Sequence, residues 1–194
     1  MSPSSWGRCL PLITVLISTL LLTAIPTEAD FAIYEDTVRL HILANSDSKE
    51  DQELKLAVRD AILTEYGKSL SVFENADNAK KELSYLLDEI KDFAREKIAE
   101  LGYSYEVSVT LTDEWYDTRD YEDFTLPAGT YTSLRVIIGE GEGKNWWCVM
   151  FPPLCLDVAC EESGYGYTES EKLLISKKYN VKFKVLELIS RAYK

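Results

Sequence analysis

The sequence predicts an α+β domain with helices layered on a mixed, mostly antiparallel sheet. Three observations carry that expectation: apolar residues alternate over Val38 to Ala44 and again over Tyr103 to Leu111, a long stripe at helical spacing runs from Ala79 to Leu101, and two further strand-like runs flank a glycine-rich turn after Thr130. The 194 residues, 46% apolar with six Pro and nine Gly, have the composition of a globular chain and suffice for one core.

Val38, Leu40, Ile42 and Ala44 share one face of the first strand, which sends His41 to the other. Asn45-Ser46-Asp47-Ser48 then supplies turn and N-cap side chains, with Asp47 and Glu50 or Ser48 and Asp51 at capping-box spacing. The helix that follows carries Leu54, Val58, Ala61, Ile62 and Tyr66 on one side, and Gly67 is the expected stop. A second helix runs to Gly102 with Ala79, Leu83, Leu86, Leu87, Ile90, Ala94, Ile98 and Leu101 in register. The period then changes to two, giving a strand over 103–111, a polar loop from Thr112 to Ala128, and a hairpin of Thr130 to Ile138 and Asn145 to Phe151 around the turn from Gly139 to Lys144. Thr168-Glu169-Ser170-Glu171 opens a helical C-terminus, with a short strand or extended stretch after Asn180 leading into a terminal helix. The expected order is β-α-α-β-β-β with a helical C-terminus, in a single domain over residues 30–194.

Residues 1–29 have the layout of a secretion signal. Arg8 precedes an uncharged run from Leu10 to Ile25, and Thr27 and Ala29 suit cleavage after Ala29. That run of 16 residues falls short of the roughly 20 that span a bilayer comfortably. An uncleaved anchor is the alternative, and either form places the domain outside the cytoplasm, with membrane contact only through the signal segment. Cys148, Cys155 and Cys160 remain in the mature chain. The Phe151-Pro152-Pro153-Leu154 turn favours a Cys148 to Cys155 disulfide, three reduced thiols being the alternative.

Several chemistries are disfavoured. A net charge of -12, from 21 Lys or Arg against 33 Asp or Glu, has the wrong sign for nucleic acid, and one His leaves little for metal cages or proton relays, so neither metal nor cofactor is expected. Gly139, Gly141, Gly143 and Lys144 mimic a phosphate loop only superficially: the spacing is one short, Asn145 stands where Ser or Thr would hold magnesium, and a strand follows. The loop from Thr112 to Phe124 carries Asp113, Glu114, Asp117, Asp120, Glu122 and Asp123 against Arg119; its aspartates, spaced 4, 3 and 3, do not match an EF-hand, and it is either a solvated loop or, with Trp115, Tyr116, Tyr121 and Phe124 interleaved, a protein contact. His41 has no local nucleophile and orienting group beside it, so no enzyme signature emerges. From Thr168 onward seven Lys or Arg face three Glu, a local +4 that leaves -16 on residues 30–167. Such polarity orients a molecule towards a charged partner, or is the solvated face of a terminal helix.

Two long stretches, VRLHILANSDSKEDQELKLAVRDAIL over 38–63 and LPAGTYTSLRVIIGEGEGKNWWCVMFPPLC over 126–155, closely resemble the stage II sporulation protein R family of spore-forming Firmicutes. The likeness is weakest over 156–180, and Cys160 departs from the family pattern. The resemblance implies a secreted signal rather than an enzyme: a protein made in the forespore and exported into the space between the forespore and mother-cell membranes. There it triggers a membrane-embedded aspartic protease that processes the precursor of sigma E. No catalytic residue carries over. Contact candidates are Arg39, His41, Asn45, Asp47 and Asp51 at the first strand-to-helix junction, with Arg135, Trp146 and Trp147 on the hairpin. For Asn45, Asp47 and Asp51 the alternative is turn formation and capping, and adjacent Trp146 and Trp147 must face opposite ways, so one is core. The rival class is an envelope hydrolase or glycan-binding module, which needs two carboxylates roughly 5 to 9.5 Å apart beside a Trp platform.

Overall fold

A computed structural model describes residues 13–15, 17–19, 28–70, 72–121, 124–152 and 188 of the chain. In chain order these form α1 (Glu28–Glu35), β1 (Val38–Leu43), α2 (Lys49–Leu70), α3 (Ala76–Glu100), β2 (Val107–Tyr116), β3 (Arg119–Asp120), β4 (Thr125–Leu126), β5 (Gly129–Ile138) and β6 (Asn145–Phe151). The expected α+β class, with helices on a mixed sheet, is what the chain adopts. Cys155, Cys160 and the helical C-terminus after Thr168 lie outside the described residues.

The main sheet has the order β2-β5-β1-β6. Strand β1 runs parallel to β5 and antiparallel to β6, and β2 runs antiparallel to β5. This corrects the expected hairpin: β5 and β6 are not neighbours, because β1 lies between them and pairs with both. The 139–144 turn therefore has to cross the end of β1, and it is bonded there rather than free. Gly143 N donates to Ala44 O at 2.9 Å and Glu142 N to Asn45 O at 3.2 Å. Glu140 N donates to Asn45 Oδ1 and Lys144 N to Asp47 Oδ1. Gly139 has φ +59, and a Cβ there would stand 2.2 Å from Asn45 Oδ1, so both the backbone and the space require glycine.

Helix α2 is capped by Ser48, whose Oγ accepts from Asp51 N at 3.1 Å. It does not stop at Gly67 but continues to Leu70. A glycine inside a helix costs about 1 kcal/mol relative to Ala, which the burial of Tyr66 and Leu70 on either side outweighs. Asn75 caps α3 by accepting from Asn78 N. Gly102, φ +86, ends it, with Gly102 N bonded to Ala99 O and Tyr103 N to Ile98 O, a Schellman arrangement. Ala79, Leu83, Ile90, Ala94 and Ile98 of its stripe are buried, whereas Leu101 is the C-cap and is exposed.

Both helices pack on the face formed by Val38, Leu40 and Ile42 of β1, Leu134, Val136 and Ile138 of β5, Val107 of β2, and Cys148 and Met150 of β6. The opposite face is covered differently. The ring of Tyr34 in α1 meets Tyr131 edge-on at 5.0 Å, and its hydroxyl donates to Ala128 O. A Cβ on Gly129 would strike that ring at 2.2 Å. The expected loop after Thr112 is also corrected. Strand β2 begins at Val107 and extends to Tyr116, and the short β3-β4 ribbon follows.

The β1-α2 junction closes on Asp51, which is buried. Its Oδ2 accepts from Ser46 Oγ at 2.5 Å and Asn45 Nδ2 at 2.9 Å. The Ser46 bond foremost holds the carboxyl below its ordinary range, against the opposing effect of burial. A carboxyl lowered in the folded state stabilises the fold above the ordinary carboxylate range and loses that contribution as pH falls through it. Asp51→Ala is therefore expected to lower the unfolding free energy by roughly 2 kcal/mol at pH 7. In urea titrations the difference from the parent should narrow steadily on acidification; a deficit independent of pH would contradict this assignment.

Candidate functional site

The second face of the sheet carries an uncommon set of side chains, and the strand register explains how they meet. Arg39 pairs with Ser133 and His41 with Arg135 across β1 and β5, while His41 pairs with Trp147 across β1 and β6. Glu114 and Tyr116 reach the same face from β2, opposite Tyr131 and Gly129. All project away from the helices, because each lies one residue out of phase with the apolar positions.

Glu114 is the hub. Its Oε2 accepts from His41 Nδ1 at 2.9 Å and from the Tyr116 hydroxyl at 3.1 Å. Its Oε1 lies 3.3 Å from Arg135 Nε, an ion pair without hydrogen-bond alignment. The second nitrogen of His41 faces Asn145 Oδ1 at 2.9 Å, and its ring stacks on Trp147 with centroids 5.6 Å apart. Tyr116 also shares a hydrogen bond with Ser133 Oγ. Burial, foremost, pushes the Tyr116 hydroxyl well above the ordinary phenol range, so it stays protonated and donates to the carboxylate.

Arg39 is fully buried. Its guanidinium lies 3.8 Å from the Tyr116 ring centroid and 5.1 Å from that of Tyr131, and Nη2 donates to the Tyr121 hydroxyl at 2.6 Å. No carboxylate pairs with it among the described residues, and Nε and Nη1 have no partner. Cation-π attraction in a desolvated setting supplies about 2 kcal/mol, whereas an unsatisfied buried donor costs about 1 to 3 kcal/mol and more when charged. The tyrosine cage thus offsets only part of what burying this charge costs. Beside it, His41, Glu114, Trp115, Tyr116, Asp117, Arg119 and Trp147 line a recess of about 160 Å³. Arg119 lies flat on Trp147 at 3.8 Å, with its Nε also unpartnered.

The structure brings together four of the eight contact candidates, Arg39, His41, Arg135 and Trp147. Asn45, Asp47 and Asp51 lie apart from these at the β1-α2 junction, Asn45 and Asp47 bonded to the 139–144 turn and Asp51 to Asn45. Trp146 packs against the core on the helix side, beneath Arg59 at 4.7 Å. Glu114, Tyr116, Arg119 and Tyr121 were visible in the sequence only as members of the acidic, aromatic loop after Thr112 and not among these eight, and Tyr131 was not singled out. Continued alternation through Thr112, Glu114 and Tyr116 was the available signal, masked by the acidic residues among them. Cys148 pairs with Leu40 and so lies on the helix side, which separates it from His41 across the sheet. Among the described residues no group of three His, Cys, Asp or Glu is placed to hold a metal ion. Likewise, no described helix is long and apolar enough to cross a membrane.

These elements define an α+β domain whose main sheet carries helices on one face and a charged, aromatic recess on the other. The chain belongs to the stage II sporulation protein R family, whose profile matches residues 34–160, and a role in sporulation follows from that membership. It is 37% identical over 151 residues to the stage II sporulation protein R of Bacillus subtilis (strain 168), an alignment that takes in 77% of this chain and 66% of the relative, just under two-thirds of its length. No solved structure matches.

Glu114→Ala removes the anionic centre from two hydrogen-bond donors and the Arg135 guanidinium and is expected to lower stability by roughly 3 kcal/mol. Glu100→Ala, which breaks only an exposed pair with Lys97, should cost less than about 0.5 kcal/mol. Chemical denaturation of the two variants side by side checks the contrast.

Proposed function

We propose that this chain is a secreted signalling protein of sporulation. Made in the forespore and exported by residues 1–29 with cleavage after Ala29, it acts between the forespore and mother-cell membranes. Its partner is a membrane-embedded aspartic protease, and the outcome is processing of the precursor of mother-cell sigma E. It works by binding alone and makes or breaks no bonds. A ligand of this kind activates by binding the active form of its receptor more tightly than the resting form, and the ratio of those affinities sets how far the equilibrium moves.

The observation that carries this reading is the recess on the second face of the sheet. Interfaces favour aromatic and Arg side chains held in place by a rigid frame, and here Tyr116 and Trp147 stand on the main sheet around the Glu114 and His41 pair, with Arg119 of the ribbon over Trp147. Family membership supports the sporulation setting. The acidic body and basic C-terminal segment would orient the molecule on approach. In an oxidising space outside the cytoplasm, Cys148 and Cys155 are proposed to form a disulfide.

Two outcomes test this. In a sporulating strain lacking its own family member, forespore expression of the full chain should restore shortening of the sigma E precursor, seen on an immunoblot. The Arg119→Gln, Trp147→Ala double variant, present at the same level, should reduce it at least tenfold, while Tyr85→Ala on the exposed side of α3 leaves it intact; undiminished processing by the double variant would contradict the assigned surface. Separately, a non-reduced peptide map of the exported protein should contain the Cys148 to Cys155 linked peptide, and recovery of both as free thiols would refute the disulfide.

A further inference from the structure

All four buried side-chain nitrogen or oxygen atoms that lack a hydrogen-bond partner among the described residues belong to three arginines, Arg39, Arg119 and Arg135, and all three stand at the second face of the sheet. Arg135 is ion-paired with Glu114, whereas Arg39 and Arg119 have no carboxylate partner among the described residues, so in a chain of net charge -12 positive charge collects here. Elsewhere buried donors are satisfied, as Lys55 Nζ is by Gln52 Oε1 and Lys144 O.

The recess gathers the consequence. Arg119 lies against Trp147 in its wall, and Tyr116, another wall residue, has the buried Arg39 guanidinium stacked on it. Positive charge behind a wall of low dielectric projects into the hollow more strongly than the same charge in water. Two carboxylates also border the space. Glu114 is occupied by His41, Arg135 and the Tyr116 hydroxyl, and Asp117 is exposed at the rim. An anion entering beside Trp147 would meet Arg119, whose Nε has no hydrogen-bond partner among the described residues, with the Arg39 charge behind Tyr116.

We propose that the recess is a carboxylate-binding site that receives an aspartate or glutamate side chain of the protein partner, with Arg119 as the direct donor and Arg39 as the buried charge behind it. Planar guanidinium donors match a carboxylate geometrically, and the volume of about 160 Å³ admits a carboxylate on a short methylene stem. This rests on the partner-binding reading above and adds the chemistry of what is recognised.

The test uses the full chain with ¹⁵N-labelled arginine and tryptophan, followed through the Arg Nε-H and indole N-H resonances. The probe is N-acetyl-aspartate N-methylamide, with sodium chloride at matched ionic strength as the control. Saturable shifts at Arg119 and Trp147, absent with chloride and weakened at least tenfold in affinity by Arg119→Gln, are expected. Arg39→Lys, which keeps the buried charge, should weaken binding less than Arg119→Gln; if it does not fold, Trp147→Phe provides the second comparison and should retain binding within about threefold, since an aromatic wall remains. No saturable shift beyond the chloride control, or equal affinity in Arg119→Gln, would overturn the proposal. If the titration is silent while Arg119→Gln still blocks precursor processing, the carboxylate site falls and the partner surface stands. If the aspartate analogue binds as expected while processing is indifferent to Arg119→Gln, the partner reading falls and the proposed occupant falls with it.

Discussion

Strand β1 is buried on both sides, and one of those sides carries a guanidinium and an imidazole. Its apolar side, Val38, Leu40 and Ile42, is covered by two long helices, as in any α+β layer. Its polar side admits no such cover, because Arg39 and His41 need partners once water is withdrawn. The rest of the architecture answers that need. Strand β2 extends to Tyr116 and thereby delivers Glu114 under His41 and Arg135. Strand β5 supplies Ser133 and Tyr131, and the β3-β4 ribbon adds the Tyr121 hydroxyl to Arg39. The second face is therefore a polar layer knit by a carboxylate and four aromatic rings, and its incompletely satisfied arginines make it the chemically open part of the molecule.

The sheet order has the same origin. With β1 between β5 and β6, the 139–144 turn must pass over the end of β1, where Asn45, Asp47 and the backbone of Ala44 receive it. Asp51 and Lys55 tie this crossing to the start of α2. Such a junction is rigid, and it fixes where Trp147 and Asn145 stand relative to His41. The four contact candidates of β1 and its junction other than Arg39 thus take two places. Asn45, Asp47 and Asp51 hold the crossing, and His41 belongs to the recess that the crossing positions.

Much of this was legible from periodicity. The strand at 38–43, the stripe of α3 and its Gly102 stop, the Ser48 cap and the opposite facing of Trp146 and Trp147 all follow from local spacing. What local spacing could not reveal was the pairing of β1 between β5 and β6, since a glycine turn between two strand-like runs reads as a hairpin unless a third strand intervenes. It also missed the continuation of β2, where Asp113 and Glu114 suggest a solvated loop; only a tertiary arrangement placing His41 and Arg135 opposite gives Glu114 a buried role. Helix α1 escaped for a similar reason, being a short segment that depends on Tyr34 packing against Tyr131 and Gly129. Of the site, the part donated by β1, β5 and β6 was visible as contact candidates, and the part donated by β2 and the ribbon only as an acidic, aromatic loop suited to solvent or to a protein contact.

The proposed working face of the domain is the one with the recess, and the helix side is its structural face. A photo-crosslinking residue placed at Asp117, on the rim of the recess, or at Tyr85, on the far side of α3, separates the two in sporulating cells. The account predicts a specific adduct with a membrane protein from position 117 and none from position 85. An adduct formed from position 85, with position 117 silent, would contradict it.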